Sequence, residues 1–303
     1  MSIEDTLSRL TDNDLSDSSL TELSGLNTEQ VSQFEQTWVE IETEQRRRII
    51  GRLVKLADEN IELNFNAIFK HGLTDPDAEV RRQAIEGLWE CEETALVPLL
   101  IDLLENDSSE MVQTEAVAAL GRFAMLAEYG KMHEDTTNSL CQTLLSTIDN
   151  ENKTVDIRCC ALEAAAPLDT PEVSRAISEY YQDNDDRLCL SSICAMGISC
   201  NPSWMPTLIE ELTNFDAERR RVAAAALGEL EEEDAVPQLA ELVYDDDVDV
   251  QIAAIQALGK IGGAEARECL ELCMDDEEEA VRLAAEEALD KVNGKENLQS
   301  FSI

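Results

Sequence analysis

Val250-Gln-Ile-Ala-Ala-Ile-Gln-Ala-Leu258 decides the fold, because its pattern recurs seven times along the chain. Starting at Val80, Val112, Ile157, Leu188, Arg219, Val250 and Val281, the segments read VRRQAIEGL, VQTEAVAAL, IRCCALEAA, LCLSSICAM, RRRVAAAAL, VQIAAIQAL and VRLAAEEAL. The last five begin at a constant step of 31 residues. A fixed period of this size marks stacked supersecondary units, each too small to bury its apolar face alone.

The fifth position of the segments holds Ala84, Ala116, Ala161, Ser192, Ala223, Ala254 and Ala285, and the eighth holds Gly87, Ala119, Ala164, Ala195, Ala226, Ala257 and Ala288. Positions three apart share a helix face, so every segment presents a strip of small side chains that lets a neighbouring helix come close. Larger apolar residues such as Val250, Ile255 and Leu258 flank the strip and fill the core. Five residues before each start stands Asp75, Asp107, Asn152, Asp183, Asn214, Asp245 or Asp276. Asp and Asn accept hydrogen bonds from free backbone N–H groups at turns and helix N-termini, and an acid there complements the helix dipole. A second helix completes each unit, as in Ala235-Val-Pro-Gln-Leu-Ala-Glu-Leu-Val243, Val97-Pro-Leu-Leu-Ile-Asp-Leu-Leu104 and Trp204-Met-Pro-Thr-Leu-Ile-Glu-Glu-Leu212, with proline in the first turn where its missing N–H is harmless. The reading is all-α: an α-solenoid of stacked helix–turn–helix pairs.

Asp75-Pro-Asp-Ala-Glu-Val-Arg81, Ala226-Leu-Gly228 with Ala235-Val-Pro-Gln-Leu239, and Ala257-Leu-Gly-Lys-Ile-Gly262 resemble HEAT repeats, in the short form found in bilin-lyase-like proteins. The resemblance covers roughly residues 75 to 292, with a weaker fit from about 43. The stretch from Arg46-Arg-Arg48 through Gly87-Leu-Trp-Glu90 is also similar to bacterial HEAT-repeat proteins of unassigned role. The resemblance implies a fold and, for most such arrays, binding to another macromolecule.

Around the array the chain divides as follows. Residues 1–26, rich in Ser, Thr, Asp and Leu without sustained periodicity, read as a mobile N-terminal arm. Residues 27–74 read as capping helices, one capped at Asn27 and carrying Trp38 and Ile41, one over Arg46–Glu59 and one over Ile61–Leu73. The array spans 75–292, with an insertion near 125–138, where the step from Val112 to Ile157 is about 14 residues too long; it reads as a longer loop or a protruding contact element. Residues 293–303 read as a frayed tail.

The chain holds 65 Asp and Glu against 23 Lys and Arg, a net charge of −42. Nucleic acid is therefore not the expected partner, since phosphate recognition needs cations. The field favours fast association with a basic protein or segment; alternatively the acids solvate a large exposed surface. A salt-adapted host is a third reading, against which the nine cysteines and ample bulky aliphatics speak. No apolar run reaches the roughly 18 residues of a membrane span. The start, Met1-Ser-Ile-Glu-Asp-Thr6, lacks the basic and apolar regions of a signal peptide, so a cytoplasmic protein with reduced thiols is expected. Cysteines such as Cys194 stand where other units carry Ala, Leu or Ile, as small buried hydrophobes do.

The residue patterns of known catalytic and metal sites are incomplete in this chain. Deoxyhypusine hydroxylase, a HEAT-repeat enzyme, holds two irons on several His-Glu pairs. This chain has two histidines, His71 and His133, and one such pair, His133-Glu134, within the insertion. Cys269 and Cys273 are half of a metal site at most. A calcium loop beginning at Asp245 would need Gly and Glu where Val250 and Gln256 stand. No phosphate loop, nucleophile elbow or catalytic triad is legible. No metal, cofactor or catalytic residue is expected. The remaining enzyme-like reading, a bilin lyase or chromophore-handling chaperone, would use Arg82, Trp89 and Arg221 around a tetrapyrrole.

Helical geometry points columns one, five, eight and nine of the repeated helix inward and columns three, seven and ten outward. In HEAT repeats this helix lines the concave side, so the outward columns would form a groove. Its candidate residues are Arg82, Glu86, Trp89, Cys159, Glu163, Leu190, Cys194, Arg221, Ala225, Ile252 and Gln256. Leu190, Cys194, Ala225 and Ile252 would make a nearly apolar floor with Arg221 inside it, a partner surface unless tight curvature buries it. Arg220 aligns with Arg81, Arg158 and Arg282 as an inter-unit tie to the acidic turns, leaving Arg221 the freer cation. The expectation is a non-enzymatic scaffold or adaptor for a partner protein with a basic or mixed apolar and charged surface.

Overall fold

The structure, a computed structural model, describes residues 6–8, 10 and 16–300, with side chains described to residue 294. Residues 1–5, 9 and 11–15 of the expected arm and 301–303 of the expected tail lie outside the described residues. Among the described residues there is no strand. The helices are α1 (Asp17–Leu20), α2 (Thr28–Trp38), α3 (Thr43–Glu59), α4 (Asn66–Gly72), α5 (Ala78–Gly87), α6 (Val97–Asn106), α7 (Glu110–Glu128) and α8 (Glu134–Ile148). They continue with α9 (Val155–Ala165), α10 (Pro171–Tyr181), α11 (Asp186–Ile198), α12 (Met205–Glu211), α13 (Ala217–Leu230), α14 (Val236–Leu242), α15 (Val248–Ile261), α16 (Gly263–Cys273) and α17 (Glu279–Ser300). From α2 onward, even numbers are the first helix of a pair and odd numbers the second. The chain forms two compact units, residues 1–140 and 141–303.

In the first unit α3, α5 and α7 stack in succession, with α4 packed on α5 and α6 on α7. In the second unit α9, α11, α13, α15 and α17 stack in succession, backed by α10, α12, α14 and α16. The all-α solenoid architecture of repeated helix pairs is therefore the one the sequence pattern calls for. Columns five and eight point inward as expected: Ala161, Ser192, Ala223, Ala254 and Ala285 are 0 % exposed. Column one follows, with one exception. Arg219 occupies it in α13 and stays half-exposed, reaching toward the buried Glu211 at 3.8 Å. Glu211 also accepts from Tyr181 Oη (2.5 Å) and Asn214 Nδ2 (2.9 Å), so one inward position carries a polar network.

Column ten departs from expectation. Three of its members in the second unit are Gly197, Gly228 and Gly259, and all are buried. A Cβ built on them would lie 2.6 Å from Ala226 Cα, 2.8 Å from Ala257 Cα and 2.7 Å from Ala288 Cβ, respectively. Each glycine therefore seats the column-eight alanine of the next second helix, and the column lies in the stack and not in a groove.

The acidic turns form a second recurring device. Oδ1 of Asp75, Asp107, Asn150, Asp183, Asn214, Asp245 and Asp276 accepts the N–H two residues on, at 2.8–3.0 Å. In the fourth of the pairs the residue is Asn150 and not Asn152, because two more residues precede the helix there. The side chain at column two then reaches back to the carbonyl of the turn residue: Arg81 to Asp75, Gln113 to Asp107, Arg220 to Asn214, Gln251 to Asp245 and Arg282 to Asp276. Arg81 and Arg220 also fork onto the next turn, at Asp107 (2.7 and 2.8 Å) and Asp245 (2.8 and 2.7 Å). The inter-unit tie inferred for Arg220 is thus bidentate.

Four further stretches differ from their sequence reading. The excess residues near 125–138 are helical: α7 has 19 residues and α8 has 15, with a short turn between. Leu20 and Leu23 of the expected mobile arm are 0 % exposed, and Asp17 pairs with Arg52. The third capping helix starts at Asn66, leaving Ile61 in a turn and 88 % exposed. The backbone of α17 stays helical to Ser300, past the expected start of fraying at 293.

Gly228→Ala should destabilise the fold by roughly 1–3 kcal/mol through overpacking, although alanine is the better helix former by about 1 kcal/mol. Gly294→Ala, where a Cβ meets nothing within 4 Å, should do the opposite; urea unfolding of both variants separates packing from propensity. Asp245→Asn keeps the turn acceptor but loses the charge facing Arg220, for an expected loss of about 1–3 kcal/mol at pH 7. Arg220 holds the Asp245 carboxyl below its ordinary 3.8. That contribution is present above 3.8 and fades as pH falls through the lower folded value. The two proteins should therefore converge in stability in acid.

Candidate functional site

The outward columns three and seven are where the repeats differ, and none of the eleven candidate residues belongs to the buried core. In the first unit, α5 carries Arg82 and Glu86, and Trp89 follows it in the turn. In the second unit, α9 carries Cys159 and Glu163, α11 Leu190 and Cys194, α13 Arg221 and Ala225, and α15 Ile252 and Gln256. Because α9, α11, α13 and α15 stack in order, these eight residues follow one another from helix to helix. Ala225 and Gln256 are exposed, and Leu190, Cys194, Arg221 and Ile252 half-exposed; Leu283, in column three of α17, extends the row at 53 % exposure.

Cys159, Glu163, Cys194 and Arg221 share one electrostatic neighbourhood. Burial, followed by the charge of Glu163, pushes the Cys194 thiol up to about 12. Burial also pushes Cys159 up to about 11, against a hydrogen bond from Ser191. Both remain thiols at neutral pH and are poor nucleophiles. Burial raises the Glu163 carboxyl as well, with Ser191 again opposing. Ser191 is buried, and its hydroxyl donates to Cys159 O at 3.0 Å. Nothing in its sequence position marked it, since column four varies in chemistry from unit to unit.

Arg221 is not the free cation the alignment suggested. Its guanidinium forks onto Glu218 at 2.6 and 2.9 Å, one turn earlier on the same helix. An Arg at i+3 from a Glu was the available signal. In the first unit Arg82 is likewise engaged, with Glu79 at 2.9 Å and Glu86 at 3.1 Å. Trp89 is 57 % exposed, with the Arg122 guanidinium 5.5 Å from its ring centre. The strip in the second unit is thus an apolar row in which Arg221 is matched by Glu218, with the half-buried Glu163 at its edge.

Among the described residues no group of three or more His, Cys, Asp or Glu side chains is placed to hold a metal ion. The nine cysteines are free thiols, and Cys273 Sγ donates to Cys269 O at 3.3 Å. Asp245, first residue of the tested calcium loop, has both oxygens engaged by Arg220. No helix of the described residues is long and apolar enough to cross a membrane.

Stacked helix pairs with a variable outward strip define an α-solenoid repeat protein. A family profile for HEAT repeats matches residues 66–151 and 205–290, more than half of the chain, and the chain belongs to that family. No curated protein matches significantly. Among solved structures, the complex of CpcE and CpcF of phycocyanin lyase from Nostoc sp. PCC7120 is similar at 17 % identity and TM-score 0.53, over 78 % of this chain and 94 % of that one. Importin beta is similar at 13 % identity and TM-score 0.52, over 96 % of this chain and 44 % of importin beta. YibA of E. coli matches at 17 % identity, TM-score 0.46, over 83 % of this chain and 98 % of that one. At these identities the likeness is one of fold.

Glu163 supplies a test of the electrostatic neighbourhood. An unfolded Glu titrates near 4.5, and burial raises the folded value. Below 4.5 the group is neutral in both states; as pH rises the unfolded chain ionises first and the folded state loses relative stability. Glu163→Gln should therefore match wild type near pH 4 and melt at a higher temperature at pH 8. An equal or growing deficit of the variant at pH 8 would refute the assignment.

Proposed function

We propose that this chain is a non-enzymatic scaffold or adaptor that binds a partner protein along the outward strip of its second helices, the concave side in HEAT arrays. The observation that carries the reading is the row Leu190, Cys194, Ala225, Ile252 and Leu283, none of which is buried in the core of the second unit. An aligned apolar row kept at the surface costs solubility and has no packing purpose, whereas it supplies the apolar centre that protein interfaces need. Polar neighbours rim it: Glu163, Arg221 with Glu218, and Gln256. The mechanism is shape complementarity on helices held in register by close stacking. The HEAT-repeat fold itself is of a kind that typically serves as a protein-interaction scaffold.

The bilin-lyase alternative draws on fold likeness and on Arg82, Trp89 and Arg221. Both arginines already hold carboxylates of their own chain, which leaves them poorly prepared for propionates. A linear tetrapyrrole titrated into the protein should leave its absorption spectrum unchanged; a shifted, saturable spectrum would favour the lyase reading.

Leu190→Glu combined with Arg221→Glu adds two acids to Glu163 and Glu218 around a row that needs apolar contact. Partner retention from native-host lysate should fall at least tenfold, with helicity and melting temperature nearly unchanged. Equal retention by both proteins, or retention of nothing, would sink the strip as the binding surface.

A further inference from the structure

In a chain with 65 acids and 23 bases, one face of α3 is cationic. Arg48, Arg52 and Lys55 stand at i, i+4 and i+7, a like-charge row that disfavours the helix carrying it. With Arg47 and Arg82 they line a recess of about 670 Å³ between α3 and α5. Three of the five are already matched: Arg47 by Asp77 and Glu44, Arg52 by Asp17, and Arg82 by Glu79 and Glu86. Arg48 and Lys55 have no ion pair or side-chain hydrogen bond among the described residues, and both are exposed. Most other cations of this molecule are tied to turns or to neighbouring acids, so two unmatched ones on a single wall need another reason.

A second recess, about 280 Å³, adjoins the first and shares Asp58 and Glu86 with it. Its lining is mixed: Ile61, Leu63, Phe65, Phe69 and Trp89 supply the apolar part, and Asn64, Asn66, Asp58, Glu86 and Glu90 the polar edge. Phe65 and Phe69 form a fully buried floor, while Ile61 and Trp89 are 88 % and 57 % exposed. All three first-unit members of the outward strip, Arg82, Glu86 and Trp89, line one recess or the other. Asp58 and Glu86 on the shared edge set a limit on the ligand, since an anion must sit toward Arg48 and Lys55 and away from them.

We propose that these paired recesses bind an acidic peptide segment of a partner protein, its carboxylates on Arg48 and Lys55 and a neighbouring bulky apolar side chain against Ile61 and Trp89. The inference rests on the scaffold reading and names the chemistry of a partner segment for the first unit. Seven helical residues separate Arg48 from Lys55, about 10 Å at 1.5 Å per residue. About three residues of extended chain span that distance, so neighbouring carboxylates of one segment can address the two cations separately. Nucleic acid would also offer spaced anions and a ring for Trp89, but a long polyanion would run on past the recess into a strongly acidic surface. A short segment confines its charge to the few ångströms where Arg48 and Lys55 act, within a Debye length of about 8 Å.

The test is a random 12-residue phage-displayed library selected on the full-length protein and counter-selected on Arg48→Glu/Lys55→Glu. Enriched peptides should carry two or more Asp or Glu beside a bulky apolar residue. As synthetic labelled peptides they should bind wild type at least tenfold tighter than the charge-reversed protein by fluorescence anisotropy, and Trp89→Ala should weaken them separately. Arg48→Gln/Lys55→Gln, which adds no acid, serves as the second variant should the reversed one lose its helical circular dichroism. Absence of acidic peptides, or equal binding by either folded variant, overturns the proposal, as does selective capture of tripolyphosphate or an oligothymidylate without peptide enrichment. Failure here with the Leu190/Arg221 result intact would remove this site alone; the reverse would remove the second-unit strip and leave this one.

Discussion

The contact between glycine at column ten and alanine at column eight of the next helix governs the second unit. Gly197, Gly228 and Gly259 have no Cβ, and so Ala226, Ala257 and Ala288 approach to within what would be 2.6–2.8 Å of one. Dense packing at that spacing leaves each second helix a single register against the next. Columns three and seven are aligned from helix to helix only because column ten is locked. The apolar row from Leu190 to Leu283 is in this sense a product of the stack, and a wider stack would turn its members toward one another.

Electrostatics in this acidic chain is organised around the turns. Each turn Asp or Asn accepts the N–H two residues on, and at five of the seven turns the column-two side chain of the following helix closes over its carbonyl. Arg81 and Arg220 add a fork to the next turn, and Arg46 does so at the start, meeting Asp75 at 3.0 Å beside the Trp38 indole N–H at 2.7 Å. Cations placed between acids lower the cost of the net charge where chains are close, and the remaining acids stay on exposed surface. Arg48 and Lys55 stand outside that arrangement, together on the wall of one recess.

Much of the fold was legible in residue spacing. The 31-residue period and the small-residue columns followed from side-chain size alone, and size acts the same way in every unit. Other features were hidden because they depend on backbone shape. Asp169, Cys200, Glu231 and Gly262 are again 31 residues apart and all have positive φ, from 39° to 77°, yet only the last is the residue type that announces it. Asn152 aligned with the turn residues by count, while Asn150 does the work because the loop is longer. Trp89 and Gly228 share column ten, but one is exposed and the other is a helix contact, a difference that glycine at 197, 228 and 259 in register could have signalled. Arg221 looked free because its partner, Glu218, sits on the same helix and outside the repeated segment.

By itself the sequence determined an all-α array of HEAT-type helix pairs, the inward columns five and eight, and the tie from Arg220 to an acidic turn. These rest on local periodicity and on side-chain volume, which sequence carries directly. Tertiary structure alone decided that column ten belongs to the stack, that the residues near 125–138 lengthen two helices, and that Leu20 and Leu23 are buried. It also decided which cations remain unmatched, and that the recess holding Arg48 and Lys55 adjoins the one beside Ile61 and Trp89. Those outcomes depend on distances between helices far apart in the chain, and no spacing within one segment encodes them.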